Sequence, residues 1–152
     1  MRKYLSLFAI MALLISCDKD NSNSCTPDYF IFGTTYGFCG GNCTHLFKIK
    51  DGRVFPDDME YFYGNLKFKN TSLSSSKYLL AKPLSDNFPD YLQTHTDTVL
   101  GCPDCYDQGM VYIEIKQNLK VSWWKIDTEI NSLPLEIRVY IEQMKTVVMD
   151  LE

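Results

Sequence analysis

MVYIEIKQNLKVSWWKID, residues Met110 to Asp127, is the stretch on which the fold turns. Val111, Ile113 and Ile115 alternate with Tyr112, Glu114 and Lys116, a period of two that puts the first three on one face of a strand. Leu119, Val121 and Trp123 carry the alternation on after a turn expected near Gln117-Asn118, so the stretch reads as an antiparallel hairpin. Trp123 and Trp124 are adjacent and must point to opposite faces. One ring is expected in the core; the other is a candidate contact for a sugar or a partner protein unless a helix or loop covers it.

The next stretch supplies what the hairpin needs. Ser132 is expected as an N-cap and Pro134 in the first helical turn. Ile137, Tyr140, Ile141, Met144, Val147, Val148 and Leu151 then recur at helical spacing on one side. Glu136, Arg138, Glu142, Gln143, Lys145, Asp150 and Glu152 occupy the other. A membrane-surface helix would carry a basic polar face; this one is mixed and acidic, so it is expected to cover a sheet.

N-terminal to the hairpin, DYFIFGTTY (Asp28–Tyr36) is aromatic and β-branched and reads as a strand. Gly37 to Thr44 is a glycine-rich loop. In the next strand, His45, Phe47 and Ile49 share one face while Leu46, Lys48 and Lys50 share the other. Asp51-Gly52 signals a hairpin turn, with Arg53 to Phe55 returning until Pro56. Tyr61 to Lys69 (YFYGNLKFK) leans to a further strand. Ser74 to Lys82 suits a short serine-capped helix that Pro83 interrupts, and Leu84 to Thr94 a further helical turn punctuated by Pro89. The expected fold class is α+β: an antiparallel sheet of about four to five strands with the C-terminal amphipathic helix packed on one face.

Cys39 and Cys43 lie in one loop, Cys102 and Cys105 in another. Disulfides are the first reading, with three pairings open. Local bridges would pin each loop; cross bridges would close about 60 residues, worth ~4 kcal/mol in the chain-entropy model. A metal site is the second: a closed tetrahedral zinc site on Cys39, Cys43, Cys102 and Cys105, or a mixed cysteine–histidine site for zinc or copper that draws on His45 or His95. Thiol redox chemistry at Cys102-Pro103-Asp104-Cys105 is the third, but it needs a following helix to lower the thiol pKa, and Tyr106-Asp107-Gln108-Gly109 leads to a strand. Cys25 is left over.

Asp57-Asp58-Glu60 and Asp104/Asp107 could offer oxygens to calcium but lack a regular loop spacing, so solvated acids are expected. His45 reads as a packed strand residue and His95 as solvated. Gly37-Phe38-Cys39-Gly40-Gly41 lacks the lysine and helix of a phosphate cradle. No catalytic motif occurs, no catalytic residue is assigned, and no cofactor is expected.

The chain has 152 residues, 45% hydrophobic and 22% charged, as a globular domain does. Nine Phe, ten Tyr and two Trp favour a sheet-rich core. Arg2 and Lys3 start an apolar run, Leu5 to Ile15, too short to span a bilayer but suited to a cleaved signal. Beyond it lie 13 basic residues against 19 acids, a formal charge of −6 that disfavours nucleic acid and anionic lipid as partners.

Leu14-Ile15-Ser16-Cys17 closes the run and resembles the lipobox of bacterial lipoproteins, in which a small residue precedes the lipidated cysteine. The resemblance implies a signal peptide over 1–16, lipidation of Cys17 with a palmitate-type acyl group, and a polar tether over 17–27 (through DKDNSNSCT), leaving one domain at 28–152. Asp18 after the cysteine is similar to the inner-membrane retention signal of enteric bacteria; the acidic cluster is also similar to the surface-export tags of Bacteroidota lipoproteins. In size, signal and tether the chain resembles small lipoproteins of that group. The resemblance implies the envelope of a Gram-negative bacterium, with the outer membrane, periplasmic or surface face, the expected location. The expected role is a non-enzymatic module that contacts the membrane through its anchor and binds a protein or glycan, with a metal-binding or thiol-redox lipoprotein as the alternative.

Overall fold

The computed structural model describes residues 27–152; the expected signal peptide over 1–16, Cys17, most of the expected tether and Cys25 lie outside the described residues. The fold is α+β. Strands β1 (Tyr29–Thr35), β2 (Thr44–Lys50), β3 (Arg53–Pro56), β4 (Thr98–Leu100), β5 (Met110–Gln117) and β6 (Lys120–Asp127) form one sheet in the order β3-β2-β1-β5-β6-β4. Every neighbouring pair is antiparallel except β4 and β6. Helices α1 (Ser75–Asp86), α2 (Asp90–Thr94) and α3 (Leu135–Leu151) complete it.

The hairpin forms as its pattern requires. Ile113 pairs with Trp124 and Glu114 with Trp123. Val111, Ile113, Trp124 and Ile126 enter the main core with Phe30, Phe32, Phe47 and Val54. The seven apolar positions that the helical spacing picks out on α3 are all buried and cover this core. Leu119 and Val121, by contrast, lie on the exposed alternation, and Trp123 shares their face. The turn at Asp51-Gly52 has φ of 50° and 68°, both in the left-handed region a tight hairpin turn uses.

Four local expectations are corrected. Six strands replace four to five, because Thr98–Leu100 adds a short parallel edge strand whose three residues carry too little pattern to be read. Tyr61–Lys69 does not join an edge of the sheet. Beyond the isolated bridge from Asp57 to Phe68, this segment lies across the outer face. There Phe62, Leu66 and Phe68 pack on Ile31, Leu46 and Tyr112, so its apolar spacing reflects face covering rather than strand pairing. Pro83 sits inside α1 without ending it. The hydrogen bond a proline cannot donate would have gone to Leu79, on the exposed side of the helix, where water can take its place. Ser132 belongs to a short 3-10 turn, and Pro134 is the N-cap of α3. Ser74 does cap α1, accepting from the Lys77 amide at 3.5 Å.

Candidate functional site: a rim of two disulfide-closed loops

Strand β1 ends, and β2 and β5 begin, at one end of the sheet: Thr35 pairs with both Thr44 and Met110. The loops preceding β2 and β5 therefore emerge side by side, and they hold all four cysteines of the two sequence motifs. Cys39 bonds to Cys43 and Cys102 to Cys105, with Cα separations of 5.7 and 5.6 Å. Both bridges are local, so they act on loop conformation rather than on the topology of the chain.

The first loop is closed again by its backbone, Tyr36 N donating to Cys43 O at 2.9 Å. The second is organised around Asp127, the last residue of β6. Its carboxylate accepts from the Cys102 amide at 2.8 Å, the Glu129 amide at 2.9 Å and the Gln108 side chain at 3.3 Å. Burial opposes ionisation of Asp127, but these hydrogen bonds outweigh it and hold its pKa below the usual carboxylate value. Gln108 also donates to Cys102 O at 2.9 Å. Asp104, at φ 58°, accepts from the Gly109 amide at 2.9 Å.

The loops are fitted to each other as well. A Cβ on Gly37 would lie 2.1 Å from the Asp104 carboxylate, and one on Gly109 would lie 2.4 Å from the Tyr36 ring. Each loop thus occupies the space that a side chain would need in the other. Out of this locked base project Phe38 and Tyr106, 79% and 88% exposed. Large aromatics held in water on a rigid base are the usual anchors of protein recognition.

The expected ligand groups are otherwise engaged. The four cysteines are oxidised in pairs. His45 edges onto the Tyr36 ring at 6.4 Å and pairs with Glu152 at the end of α3, a partly exposed partner for the strand histidine. Asp57 accepts from the Leu46 and Met59 amides at 2.9 and 3.0 Å; burial pushes its pKa up despite them. Among the described residues, no three His, Cys, Asp or Glu side chains come together as a ligand set. His95 is exposed and stacked on Tyr91 at 4.2 Å.

The two tryptophans separate as their adjacency demands. Trp124 is 1% exposed, and its ring N–H donates to Leu92 O at 3.1 Å and His95 O at 2.7 Å. Trp123 is half-buried on the outer face, with the Lys125 ammonium 5.8 Å from its ring centre. Beside it Tyr29 and Tyr112 both donate to Glu114, at 2.8 and 2.6 Å. Burial, then this hydrogen bond to a carboxylate, pushes Tyr29 up to about 12 and raises Tyr112 as well.

A concavity lies elsewhere. A cleft of about 660 Å³ opens between the end of α1 and the β5–β6 hairpin, with Phe88, Trp124, Ile115 and Ser122 among its walls. Pro27, where the described chain begins, forms part of it.

Sequence reading found the cysteines and missed the rim. Phe38 and Tyr106 have no periodic partner, and nothing local indicates that residues 37 and 104 meet. The one usable signal is the glycines beside the cysteines: Gly37, Gly40 and Gly41 around Cys39, and Gly101 and Gly109 on either side of Cys102 and Cys105. No family model, curated protein or solved structure matches the chain.

Proposed function

We propose that the protein is a non-enzymatic, lipid-anchored recognition module of the Gram-negative envelope, with the outer membrane as its expected location, whose rim binds a protein partner. The observation that carries this reading is the interlocking of two disulfide-closed loops, with Phe38 and Tyr106 projecting from them. Ordering these loops has already been done by the fold, so a partner would not bear that entropic cost on binding. The rim also lies at the far end of β1 from Pro27, so a tether from Cys17 would present it away from the membrane. A protein is favoured over a glycan because Trp123, the ring left on the outer face as a stacking candidate, is half-buried and has the Lys125 ammonium beside it. The metal alternative requires Cys39, Cys43, Cys102 and Cys105 as free thiolates, and both pairs are bridged; the thiol-redox alternative needs a helix after Cys102 to lower its pKa, and strand β5 follows instead.

A photoreactive side chain at Asp107, introduced in the native host, tests the reading. One discrete protein adduct is expected, falling about tenfold when Phe38 and Tyr106 are both changed to alanine. The same adduct from Glu136 on α3, or a yield indifferent to the double substitution, would remove the rim from the account.

A further inference from the structure

The opposite end of the sheet has its own character. There the β5–β6 turn places Leu119 at its tip, 101% exposed, next to Asn118 at φ 58°. Lys116 and Lys120 flank it. The described chain joins the sheet beside this hairpin: Asp28 N donates to Lys116 O at 2.8 Å, and Tyr29 pairs with Lys116. Phe30 pairs with both Ile49 and Ile115, so the β2–β3 turn, flanked by Lys50 and Arg53, lies at the same end.

Lys50, Arg53, Lys116 and Lys120 face only Asp28 and Asp51 in these segments; Asp86, which borders the cleft nearby, is paired with Lys82. The rim has the reverse balance. Its loops 36–43 and 101–109 hold Asp104 and Asp107 and no lysine or arginine. Strand β1, seven residues long, separates the two ends by roughly 20 Å at ~3.3 Å per residue. That exceeds the screening length of about 8 Å at physiological salt. A charged surface touching one end therefore senses the charge of that end, not the negative total that counts against anionic lipid for the molecule as a whole.

We propose that this end is a membrane-contact surface, with Leu119 entering the interfacial region and Lys50, Arg53, Lys116 and Lys120 meeting the headgroups of an anionic phospholipid bilayer. The inference rests on the lipid-anchor reading. Nine residues separate Cys17 from Pro27, ten Cα–Cα steps with a reach of at most about 35 Å, so the tip is confined near the bilayer and weak contacts suffice. Each cation brought to an anionic surface adds roughly fivefold to such binding. Docking through this end leaves the rim facing outward.

The test uses the full lipidated protein in phosphatidylcholine vesicles, with or without phosphatidylglycerol. An environment-sensitive fluorescent side chain replaces Asn118, or Phe38 as the opposite-end control. With phosphatidylglycerol present, the probe at 118 is expected to be quenched by brominated lipid and shielded from aqueous iodide, and the probe at 38 to show the reverse. Lys116→Glu with Lys120→Glu is expected to lower lipid quenching at 118 more than tenfold, with far-ultraviolet dichroism unchanged because both side chains are at the sheet's solvated end. Equal iodide access at both ends, in protein that still floats with the vesicles, would overturn the docking and leave the anchor standing. Protein that carries no lipid on Cys17 by mass and does not float would overturn the anchor itself, and the docking with it.

Discussion

Replacing Trp124 by alanine is expected to lower the unfolding free energy by about 3–5 kcal/mol, the range for deleting a large aromatic from a packed interior. The ring is 1% exposed and touches Phe88 edge-on at 5.0 Å, and Phe88 in turn contacts Phe30 and Tyr140. Trp124 is therefore where the sheet, the α1–α2 connection and α3 meet. It also holds α2 directly, since its N–H reaches the carbonyls of Leu92 and His95. Trp124→Phe separates the two contributions: it keeps most of the apolar contact and leaves those carbonyls without this donor, at a cost of about 1–3 kcal/mol. Urea unfolding followed by far-ultraviolet dichroism under non-reducing conditions measures both. A loss below about 1 kcal/mol for the alanine variant would mean the ring does not occupy the core.

Gly33→Ala comes next, at about 2–5 kcal/mol, from a single methyl group. Gly33 lies mid-way along β1 at φ 146°, between Leu46 on β2 and Tyr112 on β5. A Cβ there would be 2.0 Å from the His45 carbonyl oxygen and 3.0 Å from the Leu46 Cα. Both are backbone atoms, so relief requires β1 and β2 to move apart. Gly40→Ala is the comparison, because a Cβ at Gly40 meets nothing within 4 Å. It is expected to change stability by no more than about 0.5 kcal/mol. Similar melting curves for the two variants would contradict the register of β1 against β2.

The fold was legible where a repeating pattern met a long element. In β5 and α3 every apolar position called by periodicity is packed as expected: Val111, Ile113 and Ile115 against the main core, and all seven residues of α3. Errors arose where the pattern came from a different cause. Phe62, Leu66 and Phe68 face the sheet because they cover it, which mimics strand alternation. Pro83 reads as a stop because sequence does not reveal that Leu79 faces water. Thr98–Leu100 becomes a strand through its parallel partner β6, a tertiary effect with no local signature.

The site was legible in part for the same reason. Oxidation of four cysteines is the expectation that follows from their number and from the resemblance of residues 1–17 to an export signal. Their local pairing does not, since three pairings were open. The fitting of Gly37 to Asp104 and of Gly109 to Tyr36 depends on β1, β2 and β5 ending together, a contact across more than 60 residues of chain. Asp127 illustrates the same limit. It reads as the last residue of a strand, yet its carboxylate organises the Cys102 loop.

The proposed function requires a lipid-anchored domain that carries a rim made of two locally closed loops. Intact mass and non-reducing peptide mapping of protein purified from the host membrane test it most directly. A chain starting at a diacylglyceryl-modified Cys17, with Cys39 joined to Cys43 and Cys102 to Cys105, is the expected result. Cross-paired or free thiols at these positions, or a chain without lipid on Cys17, would contradict it.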